Sequence, residues 1–328
     1  MKLSHRLFLY LVGLAAAVVV LSITLSGHVA WSQTARTIKV VVPFSPGGVA
    51  DFVARVLAEQ IGRVQGETVV IQNRPGAGGA IGAEAVSRAA PDGNTLLMAF
   101  PDLLLASHLR KLNYDPLTSF EPICKLVSYP TVIAVNSASP YRTLADLLDA
   151  ARAKPGELAL ASLGPVSEYQ IAIESLKHAT KVDMPFIPYP GGAPALNALL
   201  GEHVTSLFFS YSTMAEQLKA GKLRAIATWS RTRIEALPEV PTVAESGFKG
   251  YEMDEWNGLL APARTPKSAV SRLSDRFTAA LEAPEVKRKL VAQGVYPVAM
   301  CGADFGALLR KQYDEFGRVI RETSIKAE

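Results

Sequence analysis

Ile38-Lys39-Val40-Val41-Val42-Pro43-Phe44-Ser45-Pro46-Gly47-Gly48 is the stretch around which the chain is organised. Its β-branched opening reads as a buried strand that stops at a Pro/Gly turn. Val49, Phe52, Val53, Val56, Leu57, Ile61 and Val64 then recur close to a 3.6-residue period, predicting an amphipathic helix over 49–64. A strand, a glycine turn and a helix N-terminus together form an anion cradle, because unpaired N–H groups and the helix dipole both favour negative charge. Glycine lets a ligand approach the backbone closely. The stretch therefore reads as half of a binding site for a carboxylate-bearing small molecule, with an ordinary strand-to-helix connection as the plain alternative.

The same grammar repeats along the chain. A second strand, Thr68-Val69-Val70-Ile71, runs into a glycine-rich loop, Asn73-Arg74-Pro75-Gly76-Ala77-Gly78-Gly79. This is a poor dinucleotide fingerprint, since Arg-Pro intervenes between the strand and the glycines. A helix is expected from about 80 to 89 and a strand over 95–99, ending at Phe100-Pro101-Asp102. Strands alternating with helices imply a largely parallel sheet, whose ligands sit beyond the strand carboxyl ends. Further on, 129–135 reads as a strand and Asn136-Ser137-Ala138-Ser139-Pro140 as a crossover into a second domain. Thr143 caps a helix reaching Lys154. A strand over 157–161 opens into the loop Ser162-Leu163-Gly164-Pro165-Val166-Ser167 before a helix over 168–178, repeating the opening logic. Strands are expected over 184–188, 204–209 and 223–229, helices over 194–200 and 214–220, and a short helix over 242–246. The segment 251–261 returns to the first domain, and helices over 268–281, 284–293 and 304–323 complete it.

The N-terminus carries a targeting signal. Lys2, His5 and Arg6 precede an almost wholly apolar run from Leu7 to Leu25, and Ala30-Trp31-Ser32 is a small-x-small cleavage pattern. Cleavage before Gln33 and export to the periplasm are expected, an uncleaved anchor being the alternative. The domain reading is thus a signal peptide over 1–32, a first lobe over 36–135 plus 250–328, and a second lobe over 136–249. Cys124 and Cys301 are free to pair in an oxidising compartment, or to remain as two buried thiols. Lys and Arg are dispersed, so the net charge of +4 leaves no nucleic-acid footprint. His108, His178 and His203 are scattered, and HExxH, CxxC, GxSxG and P-loop patterns are all missing. No cofactor or metal is expected.

Several short motifs, preserved in order from about Ile38 to the C-terminus, resemble the Bug proteins, the TctC-type substrate-binding subunits of tripartite tricarboxylate transporters. They are Val41 to Gly48, Asn73 to Gly79, Pro91-Asp92-Gly93, Tyr114-Asp115-Pro116, Pro188-Tyr189, Gly192 to Ala195, Lys219 to Arg224, Leu237 to Glu245 and Gly258 to Pro262. The resemblance implies a type II periplasmic-binding-protein fold: two α/β lobes hinged about a cleft that captures a small organic acid and delivers it to membrane permease subunits. A monomer is the default expectation. The other readings are a receptor feeding a sensor kinase and an exported α/β enzyme using the same cleft.

By the same resemblance, the first ligand loop is Phe44, Ser45, Pro46, Gly47, Gly48, Val49, Ala50 and Asp51. The second is Ser162, Leu163, Gly164, Val166, Ser167 and Gln170, with Ser210 and Tyr211 facing the cleft. Neither main loop holds Arg or Lys, so amide dipoles and hydroxyls are left to hold a carboxylate. The chain departs from the family pattern at Val49-Ala50, Pro165-Val166, Gln170 and Phe209. Those departures remove hydroxyls and amides and point to a less polar acid, aromatic or monocarboxylic. Phe100, Leu163, Val166 and Tyr211 would line its apolar part; the alternative is that they face the core. Tyr189 sits at the cleft or packs beside it. Asp51 contacts a ligand amine or water, or complements the helix dipole. Arg74 reaches a carboxylate or pairs with a neighbouring acid.

Overall fold

The computed structural model describes residues 37–164, 167–249, 253 and 255–323. The signal expected over 1–32, together with Pro165 and Val166, lies outside the described residues. The chain runs β1 (Ile38–Val42), α1 (Val49–Gln65), β2 (Val69–Asn73), a 3-10 turn (Ala77–Gly79), α2 (Ala80–Ser87), β3 (Thr95–Ala99), α3 (Asp102–Leu109) and β4 (Phe120–Tyr129). It continues with β5 (Thr131–Asn136), α4 (Leu144–Ala153), β6 (Leu160–Leu163), α5 (Glu168–Thr180), β7 (Phe186–Tyr189), α6 (Gly192–Leu200), β8 (Ser206–Ser210), α7 (Tyr211–Lys219) and β9 (Leu223–Thr228). It closes with β10 (Glu255–Pro262), α8 (Lys267–Glu282), α9 (Pro284–Ala292), β11 (Tyr296–Cys301) and α10 (Gly302–Thr323).

Two sheets result, a six-stranded one in the order β11-β4-β10-β3-β1-β2 and a five-stranded one in the order β7-β6-β8-β5-β9. Both are mixed, which corrects the expectation of a largely parallel sheet. β1 runs parallel to β2 and β3, but β10 is antiparallel to β3 and β4, and β11 is antiparallel to β4. In the second sheet β6 is parallel to β7 and β8, while β5 is antiparallel to β8 and β9. The antiparallel strands are those that carry the chain between sheets or return it, and an α/β alternation does not register them.

The first crossing also lies earlier than expected. Thr131–Asn136 hydrogen-bonds to β8 and β9, so it belongs to the second sheet rather than to the first lobe. Tyr129 still pairs with Glu255 in the first sheet, which leaves Pro130 as the crossing residue. Extended chain continues on both sides of Pro130, so the crossing has no loop-like composition. β4 and β11 were not foreseen; each carries an internal proline, Pro122 and Pro297, and both ladders contain register shifts. The segment 242–246 forms a turn, not a helix: Thr242 Oγ1 accepts from Glu245 N at 2.9 Å and Glu245 Oε2 accepts from Thr242 N at 2.8 Å, closing a single turn upon itself.

Alternation places side chains on both faces of each sheet. Leu96 and Met98 of β3 pack with Val53, Leu57, Ile61 and Phe277 on one side, and Leu97 and Ala99 pack with Leu103, Trp256 and Phe305 on the other. In β5, Ile133 and Val135 face one core while Val132 and Ala134 face another. Sheets covered by helices on both faces need apolar residues at every position of a central strand, hence the near-continuous apolar runs. Cys124 of β4 and Cys301 of β11 stand opposite each other in the ladder and form a disulfide spanning 177 residues of sequence.

Candidate functional site

Because β1, β2 and β3 run parallel, their carboxyl ends share one edge of the first sheet; those of β6, β7 and β8 share one edge of the second. The glycine and small-residue loops of the sequence all sit at these edges.

In the first loop Ser45, Pro46, Gly47 and Gly48 are exposed, Phe44 and Val49 are half-buried, and Ala50 and Asp51 are buried. Gly47 has φ +93°, a left-handed conformation that a side chain would strain. Gly48 starts α1 and no side chain caps it, so the first-turn amides stay open toward the loop. Asp51 has a role that neither sequence alternative described. Its carboxylate accepts from Gly47 N at 3.0 Å, from Arg55 Nε and Nη2 at 2.9 Å each, and from Asn73 Nδ2 at 2.9 Å. Asn73 Nδ2 also donates to the Phe44 carbonyl at 3.1 Å. Burial pushes the Asp51 carboxyl up, but the bonds from Arg55, Asn73 and Gly47 outweigh it and hold the group below the usual carboxylate range. Asp51 is thus the staple that shapes the loop from behind. Phe44 meets Phe100 edge-on with ring centroids 4.5 Å apart, and Phe100 rests on Gly79, where a Cβ would collide with its ring.

In the second loop the hydroxyls are turned inward. Ser162 is fully buried and donates to the Phe208 carbonyl at 2.6 Å. Ser167 caps α5, accepting from Gln170 N at 3.2 Å and donating to the Leu163 carbonyl at 3.3 Å. Leu163, Gly164 and Gln170 are half-buried, as is Tyr189, which pairs with Leu163 across β6 and β7. Ser210 shares a 2.8 Å bond with Thr213 and receives a 3.2 Å bond from Ser212. Tyr211 is 4% exposed, and its ring packs against Gly294, between α9 and β11. Arg74 is exposed, and its backbone N–H pairs with the Val42 carbonyl at 2.8 Å.

One residue joins the two edges. Asp102, at the start of α3, extends a carboxylate to the N-terminus of α5 and accepts from Glu168 N at 2.6 Å. It is 8% exposed, and burial pushes its carboxyl up to about 7 even though the Glu168 N–H and the nearby Arg110 pull the other way. Around it lie Tyr129, which donates to Glu255 Oε2 at 3.1 Å, and Tyr169, which stacks on Phe209 at 5.1 Å. Burial raises both phenols well above their ordinary range. The end of β3 was legible as a ligand-facing position, but its partner on α5 was not, because 66 residues separate them.

A cavity of about 1130 Å³ was also not foreseen. It lies between α5 and α10, over Tyr129 and Trp229, and none of the expected ligand residues lines it. Arg233, Lys311 and Arg318 there alternate with Glu235, Glu315 and Glu322, so it lacks the single-signed surroundings that select an anion. Among the described residues no group of three His, Cys, Asp or Glu side chains is arranged to hold a metal ion.

Two α/β sheets joined by two crossings, with glycine loops and helix N-termini at their carboxyl edges, define a solute-binding protein of the type II periplasmic class. The chain belongs to the tripartite tricarboxylate transporter family receptors (TctC), whose family model matches residues 53–325. It is 33% identical over 295 residues to protein BugT of Bordetella pertussis, covering 89% of this chain and 90% of that one. Among solved structures it resembles the periplasmic binding protein BugD (34% identity, TM-score 0.81, 89% of this chain and 99% of that one). It also resembles R. palustris Rpa4515 with adipate (30% identity, TM-score 0.83, 90% and 99%).

Proposed function

We propose that this chain is a periplasmic receptor that captures a small organic acid between the β1–α1 and β6–α5 loops and delivers it to the permease subunits of a tripartite tricarboxylate-type transporter. The observation that carries this reading is the uncapped β1–α1 cradle, at a strand carboxyl end and a helix N-terminus and free of Lys and Arg, with the β6–α5 loop as its counterpart on the second sheet. Such a cradle binds carboxylate through amide dipoles. Membership of the receptor family and the adipate held by a 30%-identical neighbour support a carboxylate ligand. Sheet membership supports one lobe over 37–129 plus 255–323 and another over 131–249, hinged at Pro130 and at the return near 253. In the first loop Ser45 to Gly48 offer exposed backbone, and the half-buried Phe44 forms its apolar wall, backed by the buried Phe100. The protein works as a monomer and turns nothing over.

The test is a thermal-shift screen of the mature chain from Gln33 against organic acids, from citrate and glutarate to benzoate, nicotinate and terephthalate. A ligand at 100 times its Kd adds about 2.7 kcal/mol. A selective upward shift, with the acid recovered unchanged, is expected. Silence across the whole panel, or chemical conversion of the acid, would overturn the reading.

A further inference from the structure

We propose that Asp102 is a specificity-determining residue: it seats a carboxylate of the protein itself at the N-terminus of α5, so that the preferred ligand carries one carboxylate, received by the α1 loop, and an uncharged tail toward α5. The inference rests on the organic-acid reading above and narrows its ligand class.

The donor inventory at α5 leads to this. Glu168 N–H is taken by Asp102 at 2.6 Å. Gln170 N–H is taken by Ser167 Oγ at 3.2 Å, and Ile171 N–H by the Ser167 carbonyl at 3.2 Å. Pro165 contributes no N–H to the loop before it. The hydroxyls of Ser162 and Ser210 are committed to Phe208 and Thr213. Two of the three first-turn amides of α5 are therefore taken from within the chain, the first of them by a group of the same charge as a second ligand carboxylate. The α1 cradle differs. Gly48 lacks a side-chain cap, Ser45 to Gly48 are exposed, and Asp51, which takes the Gly47 N–H from behind the loop, has its charge answered by Arg55.

The wider surroundings of Asp102 add to the effect. Facing it are Glu168 and Tyr169 of α5, Tyr129 of β4, Glu255 of β10 and Arg110 of α3. Arg110 is the one cation in that set, and its Nη2 already donates to the Ala77 carbonyl at 2.6 Å. A second carboxylate brought to α5 meets an acid-rich wall, and a like charge within about 4–6 Å disfavours the ionised form; an effect of about two pKa units corresponds to about 100-fold in binding. Protonation of Asp102 reverses the sign: the neutral carboxyl becomes a donor. Since burial lifts this group to about 7, discrimination against dicarboxylates is expected to weaken as the pH falls from 8.5 to 6.

The experiment is calorimetric titration of the mature chain with two matched pairs, hexanoate against adipate and benzoate against terephthalate, at pH 8.5 and pH 6. The wild type is expected to favour the monocarboxylate of at least one pair by about 100-fold at pH 8.5 and by clearly less at pH 6. In Asp102→Asn, which keeps an oxygen for Glu168 N–H and removes the charge, the preference narrows at least tenfold at pH 8.5 and loses its pH dependence. Equal binding of both members of a pair by the wild type, or an unchanged preference in the variant, would overturn the role of Asp102 and leave the receptor reading standing. Failure of all four acids to bind the wild type, at either pH, would overturn this inference, while the receptor reading stands or falls separately on the thermal-shift panel. The wild-type pH series decides the matter even if the variant does not fold.

Discussion

Asp51 and Asp102 lie in the first turns of the helices that follow β1 and β3, both are buried, and their carboxyls are shifted in opposite directions from the ordinary value. Asp51 is held below the usual range of about 3.8, so the stability it contributes is present at neutral pH and disappears as the pH falls through its folded value. Asp51→Asn keeps the shape but gives up the charge on the bonds from Arg55 and Gly47. We expect a loss of about 1–3 kcal/mol by urea denaturation at pH 7, with ligand affinity falling as the loop loosens. Asp102 is raised to about 7, so its contribution is present below about 4 and is lost as the pH rises to 7 and beyond. Asp102→Asn is therefore expected to be more stable than the wild type at pH 8, by up to roughly 4 kcal/mol at 1.36 kcal/mol per unit, with the gain shrinking to nothing near pH 4. Melting curves of both proteins across that range check the sign. A carboxylate that costs stability and yet stands at the junction of two sheets fits a residue retained for recognition.

At the scale of elements, local pattern was most informative where a strand leads directly into a helix. The apolar period starting at Val49 and the left-handed Gly66 at its end bound α1 within a residue or so of expectation. Thr143 caps α4 as expected, through a reciprocal pair with Asp146. Pattern failed where pairing partners are distant. β11 is a short, half-buried strand with Pro297 inside it, and it exists because β4 offers it a ladder. α3 has apolar residues all round one turn, Leu103, Leu104 and Leu105, since it is covered on several sides, and no amphipathic stripe marks it. The disulfide stitches β4 to β11 across 177 residues. Closing a loop of that size restricts the unfolded chain, and Cys124→Ser with Cys301→Ser is expected to lower stability by about 2–5 kcal/mol. Denaturation midpoints with and without reductant test this on the wild type as well.

At the scale of the whole molecule, the chain crosses between sheets at Pro130 and returns before Glu255, so two chain connections join the sheets. The lobes touch at Asp102 and Glu168 on one side and at Tyr211 and Gly294 on another. The sequence by itself determined the class of protein. Its strand–glycine–helix units and its ordered motifs are local features, set by backbone sterics, dipoles and short-range periodicity. The loop Phe44–Asp51 and the loop around Ser162–Gln170 could be named because glycine and small polar residues before a helix mark such turns wherever they occur. What only the tertiary structure decided is how those loops are wired. Asp51 proved to be a staple because Asn73 reaches it from a neighbouring strand, and the hydroxyls of Ser162 and Ser210 proved to be committed to internal partners. Cys124 met Cys301, and Asp102 met α5, across 177 and 66 residues. A hydrogen bond or a disulfide forms where two groups arrive together, and arrival depends on the packing of whole sheets, for which no short stretch of chain carries a signal.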